Sequence, residues 1–172
     1  VKNEVGSSPI KLMYAGLLGF AQGIADICKS INFAEMGAEF HIYGAGGEQK
    51  EIEQYLQQNP NRGIFYHGVV SRQELPSILQ TAHLTLVPLV KHIYGAVPSK
   101  IYESMAAGLP IMFVGEGEGA KIVSTSPFIQ NTLTSMSSVL ANTLFGIVLT
   151  IITQSTMSLI TMMSGFMEYL SI

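Results

Sequence analysis

A single cysteine, Cys28, occurs in the 172-residue chain, so an internal disulfide is excluded and a reducing compartment suits the protein. Set among Ile24, Ile27 and Ile31, Cys28 reads as a buried, inert thiol. Charge is sparse: nine Lys and Arg against twelve Asp and Glu leave a net charge of −3 with no basic block, which argues against a nucleic-acid partner. The N-terminus lacks a basic stretch followed by an apolar run, so no signal peptide is read there, and Val1 in place of an initiator Met fits a sequence that begins in mid-protein. The sharpest deficit comes late. Lys121 is the last cation, and Ile122 to Met167 contains no Asp, Glu, Lys or Arg. This break sets the expected organisation, a domain over 1–123 followed by an uncharged tail over 124–172. An apolar content of 48% is enough for a substantial core.

Within the first part, short apolar runs alternate with helical patterns. Lys11–Ala15, Glu39–Tyr43, Gly63–Gly68, Leu84–Val87 and Ile111–Val114 read as strands, the fourth stopped by Pro88. Ile24, Ile27, Cys28 and Ile31 recur at helical spacing, as do Ile52, Tyr55 and Leu56 in a helix expected from Glu48. Ser71 and Glu74 form a capping box, predicting a third helix from Ser71 with Leu75, Ile78 and Leu79 inward. Five strands alternating with four helices predict a doubly wound, mostly parallel, Rossmann-like α/β sheet. Its distinctive loops all follow strand carboxyl ends, where open α/β sheets bind ligands.

Three of those loops carry chemistry. The turn Gly16–Gly19 lets backbone amides approach a diphosphate, although glycine also simply closes strand–helix turns. Gly44, Gly46 and Gly47 resemble a dinucleotide loop, but position 49 is Gln, so a nicotinamide site is poorly supported; a glycine hinge and a ligand-facing loop both remain open. His67, at the end of the third strand, reads as a satisfied strand-end residue more readily than a catalytic one. His41 and His83 receive no role. The run 96–110 is the most distinctive: Pro98, then Ser99 as an expected N-cap, Lys100 in the first turn and Glu103 one turn on. A cation beside free helix N–H groups suits an anion, and a nearby carboxylate suits ribose hydroxyls. The plain alternative is an amphipathic helix with solvated charges.

Taken in order and spacing, Gly16–Gly23, Ile42–Gly47, His67–Val70, Thr81–Pro88 and the Pro-Ser-Lys-Ile-Tyr-Glu run from Pro98 resemble the C-terminal, donor-binding domain of GT-B fold glycosyltransferases of the retaining group 1 class. The likeness covers roughly residues 9–121 and is greatest to bacterial envelope-polysaccharide enzymes, those of lipopolysaccharide and capsule. It implies a UDP-sugar donor. Gly16 and Gly19 would pack against the diphosphate, Ser99 and Lys100 would neutralise its charge, Glu103 would bind the ribose, Val70 would pair its backbone with the base, and Gly44 and Gly46 would line the crevice. Lys100 would carry the catalytic charge stabilisation, with no cofactor and no metal. Two departures stand out. The acidic residue expected at position 95 is Gly, and Gln22 replaces a frequent Lys. Lys100 is left with more of the phosphate charge.

An acceptor-binding N-terminal domain is the implied partner, and the chain alone should bind donor weakly and transfer no hexosyl or N-acetylhexosaminyl group. The resemblance ends past Val123. The tail reads as a frameshifted frame, as a membrane segment or as a helical cap; its apolar run Val139–Thr153 is 15 residues, short of the roughly 20 that span a bilayer. A cytoplasmic protein, peripheral at the inner face of the plasma membrane, is the matching location. The other readings are half of a nucleotide-sugar epimerase or phosphorylase, which would need acid–base residues such as His67 or His92, and a non-catalytic nucleotide-binding module.

Overall fold

A computed structural model describes residues 8–89, 97–115 and 117–125. Five strands form one parallel sheet: β1 (Ile10–Ala15), β2 (Ala38–Tyr43), β3 (Ile64–Tyr66), β4 (Leu84–Pro88) and β5 (Ile111–Val114), in the order β3-β2-β1-β4-β5. Helices α1 (Ile24–Ser30), α2 (Gln49–Gln58), α3 (Leu75–Leu79), α4 (Ser99–Ala106) and α5 (Glu118–Thr125) accompany them, with a 3-10 turn over Ala34–Met36. The expected Rossmann-like sheet is therefore present. The 3-10 turn and α5 go beyond the four helical patterns legible in the sequence, and α5 runs across the 123/124 boundary drawn from composition.

Alternation explains the layers. The residues Ile10, Leu12 and Tyr14 of β1 and Ala38, Phe40 and Ile42 of β2 cluster with Ile24, Ile27, Cys28 and Ile31 of the α1 region and Ile52 of α2. The intervening positions serve the opposite face: Met13 packs with Leu79, Ala82 and Leu109, and Val87 with Ile101, Ile111 and Phe113. Every residue of β4 and β5 is buried, as in a parallel sheet covered on both faces, whereas β2 alternates. Cys28 is fully buried, and burial pushes its thiol up to about 12, which makes it inert.

Two expectations are corrected. Pro88 does not stop β4 but is its last residue, opposite Val114; donors to β5 alternate, as from Thr85 N–H to the Pro110 carbonyl at 2.9 Å and from Leu89 N–H to the Val114 carbonyl at 2.7 Å, so proline at 88 removes no bond to β5. The capping box forms as drawn, with Ser71 N–H donating to Glu74 Oε2 at 3.1 Å and Glu74 N–H to Ser71 Oγ at 3.2 Å. Residues 72–74 are nevertheless a turn, and regular helix begins only at Leu75. Helix α3 has five residues with Pro76 in its first turn, and only Leu79 is fully inward; Leu75 and Ile78 are half-buried.

The strand order decides where a ligand fits. The chain leaves β1 towards β2 and β3, then returns to β4 on the other side of β1. Loops leaving the carboxyl ends of β1 and β4 diverge to opposite sides and leave a crevice between them.

Candidate functional site

Loops after β1, β2 and β3 are zipped together by their backbones. Gly16 N–H donates to the Tyr43 carbonyl (2.9 Å), Leu18 N–H to Ala45 (2.9 Å) and Gly44 N–H to Gly68 (2.7 Å). The approach is close enough to exclude side chains. At Gly44, with φ of 131°, an added Cβ would lie 1.8 Å from the Gly16 carbonyl oxygen. Gly16 itself, with φ of 148°, is covered by the stem of Lys100, whose Cε would be 2.1 Å from such a Cβ.

Above this seam lies an open crevice of about 360 Å³. Gly16, Leu17, Gly44 and Ala45 form its glycine wall, Val69, Val70 and Leu75 its far end, and Glu103 the side contributed by α4. The sequence-nominated residues Gly16, Gly44, Val70 and Glu103 thus meet in one place. Lys100 lies beside them, its Nζ 5.3 Å from the centre of the Tyr14 ring. Burial lowers the Lys100 pKa, and Glu103 pulls it back up. Lys100 and Glu103 also line a water-sized cavity of about 10 Å³ with Thr85 and Ser104. Thr85 Oγ1 donates to Ser104 Oγ at 2.8 Å, tying α4 to β4 beneath Lys100.

Three nominated residues sit differently from the expectation. Ser99 is not the N-cap of α4 but its exposed first residue. Pro98 holds the cap position with φ −60° and ψ 125°, which sets the extended entry, and no side chain caps the helix. Among the described residues the amides of Ser99 and Lys100 have no partner, so the α4 N-terminus keeps its donors. Gly46 does not line the crevice, because its place is taken up by packing on Leu18: an added Cβ would be 2.3 Å from the Leu18 carbonyl oxygen. Gly19 is half-buried beside Gln22, outside the crevice lining. Gln22 Oε1 is buried there without a partner among the described residues.

The histidines are engaged with one another. His41 Nδ1 and His67 Nε2 are 2.9 Å apart, His41 Nε2 and Glu39 Oε2 are 3.0 Å apart, and His67 stacks on Tyr43 at 4.4 Å. His67 is absent from the crevice lining, in keeping with a strand-end role. Positions 91–96, with His92 and the departure at Gly95, and the tail from 126 lie outside the described residues. Sequence reasoning missed Tyr14, whose hydroxyl donates to the Leu17 carbonyl, and Glu48, whose buried carboxylate accepts amides of α1. An acid directly after a glycine run was the available signal for Glu48.

Residues 9–134 match the family described as glycosyl transferases group 1. The chain belongs to that family. The match extends to residue 134, past the last of the sequence motifs. No curated protein matches the chain. Solved structures do. The pneumococcal O-GlcNAc transferase GtfA, solved with UDP and GlcNAc, is 22% identical at a TM-score of 0.52, covering 66% of this chain and 22% of its own. WaaG, a glycosyltransferase involved in lipopolysaccharide biosynthesis, is 18% identical at 0.55, covering 82% and 39%. Anabaena HepE, solved with UDP and glucose, is 14% identical at 0.56, covering 95% and 48%. The chain spans less than half the length of each. At these identities the likeness establishes the glycosyltransferase fold. Among the described residues of this family member, no group of three or more His, Cys, Asp or Glu is placed to hold a metal, and no helix is long and apolar enough to cross a membrane.

Proposed function

We propose that this chain is the donor-binding half of a retaining glycosyltransferase that takes a UDP-sugar in bacterial envelope-polysaccharide biosynthesis. The observation that carries the reading is Lys100 lying across Gly16 at the crevice edge, one helical turn from Glu103 and at the open N-terminus of α4. The diphosphate sits over Gly16 and the Leu17–Gly19 turn, facing Lys100 and the amides of Ser99 and Lys100. Glu103 accepts hydrogen bonds from the ribose hydroxyls, and the backbone at Val70 pairs with the base. As the glycosidic bond breaks, negative charge grows on the diphosphate, and a pre-placed ammonium with helix amides stabilises it without a metal. Partial desolvation strengthens that interaction, since Lys100 is half-buried.

Support for a uridine nucleotide comes from relatives of this fold solved with UDP, and support for an envelope role from WaaG. Hexosyl or N-acetylhexosaminyl transfer then needs a second, acceptor-binding domain as partner. The chain alone binds donor and transfers nothing. It works in the cytoplasm at the inner face of the membrane, where lipid-linked acceptors are met. The group 1 family match and the His41–His67 contact both weigh against the epimerase reading. Titrating the full chain calorimetrically with UDP tests the proposal: saturable binding is expected, and no heat of binding at millimolar UDP overturns it.

A further inference from the structure

In a dinucleotide-type half-sheet, the amides opening the first helix receive a diphosphate. Here they are already occupied. Glu48, only 4% exposed, accepts the Ile24 amide at 3.0 Å and the Ala25 amide at 3.3 Å through Oε2. Its own amide donates to the Leu18 carbonyl at 3.0 Å, while the Leu18 amide is bound to Ala45. One residue of the β2–α2 loop therefore grips the β1–α1 connection at two places, by backbone within the turn at Leu18 and by side chain at Ile24 and Ala25, where α1 begins. The amides of Leu17, just before the first anchor, and of Gly19, just after it, have no partner among the described residues, and Leu17 lines the crevice.

We infer that Glu48 is a positioning residue: its carboxylate fills the α1 amides where a dinucleotide would put its diphosphate, and fixes the Gly16–Gly19 turn so that the donor diphosphate is held against Lys100 instead. This rests on the donor reading above. It also explains why the glycine run after β2 falls short of a dinucleotide loop: Gly44 and Gly46 make room for the neighbouring backbone, and the acid that follows them takes the anion's place. Removing the carboxylate leaves two buried amides unpaired and frees the loop where it enters α1, so that the backbone bond at Leu18 alone joins residue 48 to the turn. The uridine end of the donor, across the crevice at Val70, is untouched by the change.

The test uses the full chain with Glu48→Ala and Glu48→Gln. In the nucleotide-free protein, Glu48→Ala should move the amide resonances of Leu17 and Gly19 as well as those of Ile24 and Ala25. In titrations, it should weaken UDP about tenfold and leave uridine unchanged, while Glu48→Gln, which keeps an acceptor oxygen, stays within about threefold of the native affinity. Equal losses for UDP and uridine, or no loss for UDP, overturn the inference. If Glu48→Ala does not fold, Glu48→Asp, one methylene short of the α1 amides, carries the same comparison. If the native chain binds no UDP, the donor reading falls. The spectra then decide the clamp: unmoved Leu17 and Gly19 resonances refute it, and moved ones uphold it.

Discussion

On the β1–β2–β3 side the crevice wall is uncharged: Gly16, Gly44 and Ala45 lie beside Leu17, Tyr43, Val69 and Val70, and Gly46 is spent on packing against Leu18. On the β4 side, α4 supplies the charged groups Lys100 and Glu103, braced by the Thr85–Ser104 pair. The first wall depends on glycines that let backbones approach, the second on the charges it carries. Damage to those packed glycines should therefore appear as lost stability, and removal of those charges as lost binding with the fold intact.

The strongest way to break this division is Gly44→Ala. Its Cβ would meet the Gly16 carbonyl at 1.8 Å on both a positive φ and a backbone neighbour that cannot swing away. A loss of about 3 kcal/mol in denaturant unfolding is expected. An unchanged midpoint would mean the two loops are not closely packed. Next in size is Lys100→Met, which keeps the stem over Gly16 but removes the charge. UDP affinity should fall by about 2 kcal/mol, roughly thirtyfold, with little change in thermal stability. A matching loss of stability would contradict the division of labour.

Glu103→Ala should cost UDP about 1.4 kcal/mol, near tenfold, and cost UDP and uridine alike, because the lost contacts are to ribose. A loss confined to UDP would move Glu103 from the ribose to the phosphates. Ser104→Ala breaks the buried hydroxyl pair under α4 and should lower stability by about 1 kcal/mol. The smallest effect belongs to pH. Burial, and then the neighbouring His41, lower the His67 pKa, so the folded chain binds this proton more weakly than the unfolded chain. Stability from this site is complete above the ordinary histidine value of about 6.5 and declines as pH falls below it towards the lowered folded value. Unfolding curves measured across that range should lose this slope in His67→Gln.

Much of the scaffold was legible. Short apolar runs located the five strands and helical spacing the first helices, because strands covered on both faces are apolar nearly throughout and a helix buried on one face is marked at every third and fourth residue. The motif order also placed Gly16, Gly44 and Val70 in loops after strands and Glu103 one turn into the following helix, and the four line one crevice. Local rules failed where another constraint overrode them. Ser99 has the right residue type for a cap, but Pro98 already fixes the chain entry. Pro88 lacks a donor, yet Leu89 makes the bond that extends the ladder. The capping box at Ser71 closes without starting a regular helix until Leu75.

By itself, the sequence determined an alternating α/β chain, with glycine loops after the first two strands and a cation and a carboxylate three residues apart on one helix. It did so because strand and helix periods and turn chemistry are local properties. Which loops touch was decided only by the strand order β3-β2-β1-β4-β5, which sets the first and second glycine loops side by side and brings the Lys100 side chain of α4 to the carboxyl end of β1. That tertiary choice turned Gly46 into a packing residue, laid Lys100 over Gly16, and put Glu48 on the start of α1. These contacts join positions 23 to 84 residues apart, where no local pattern relates one residue to the other.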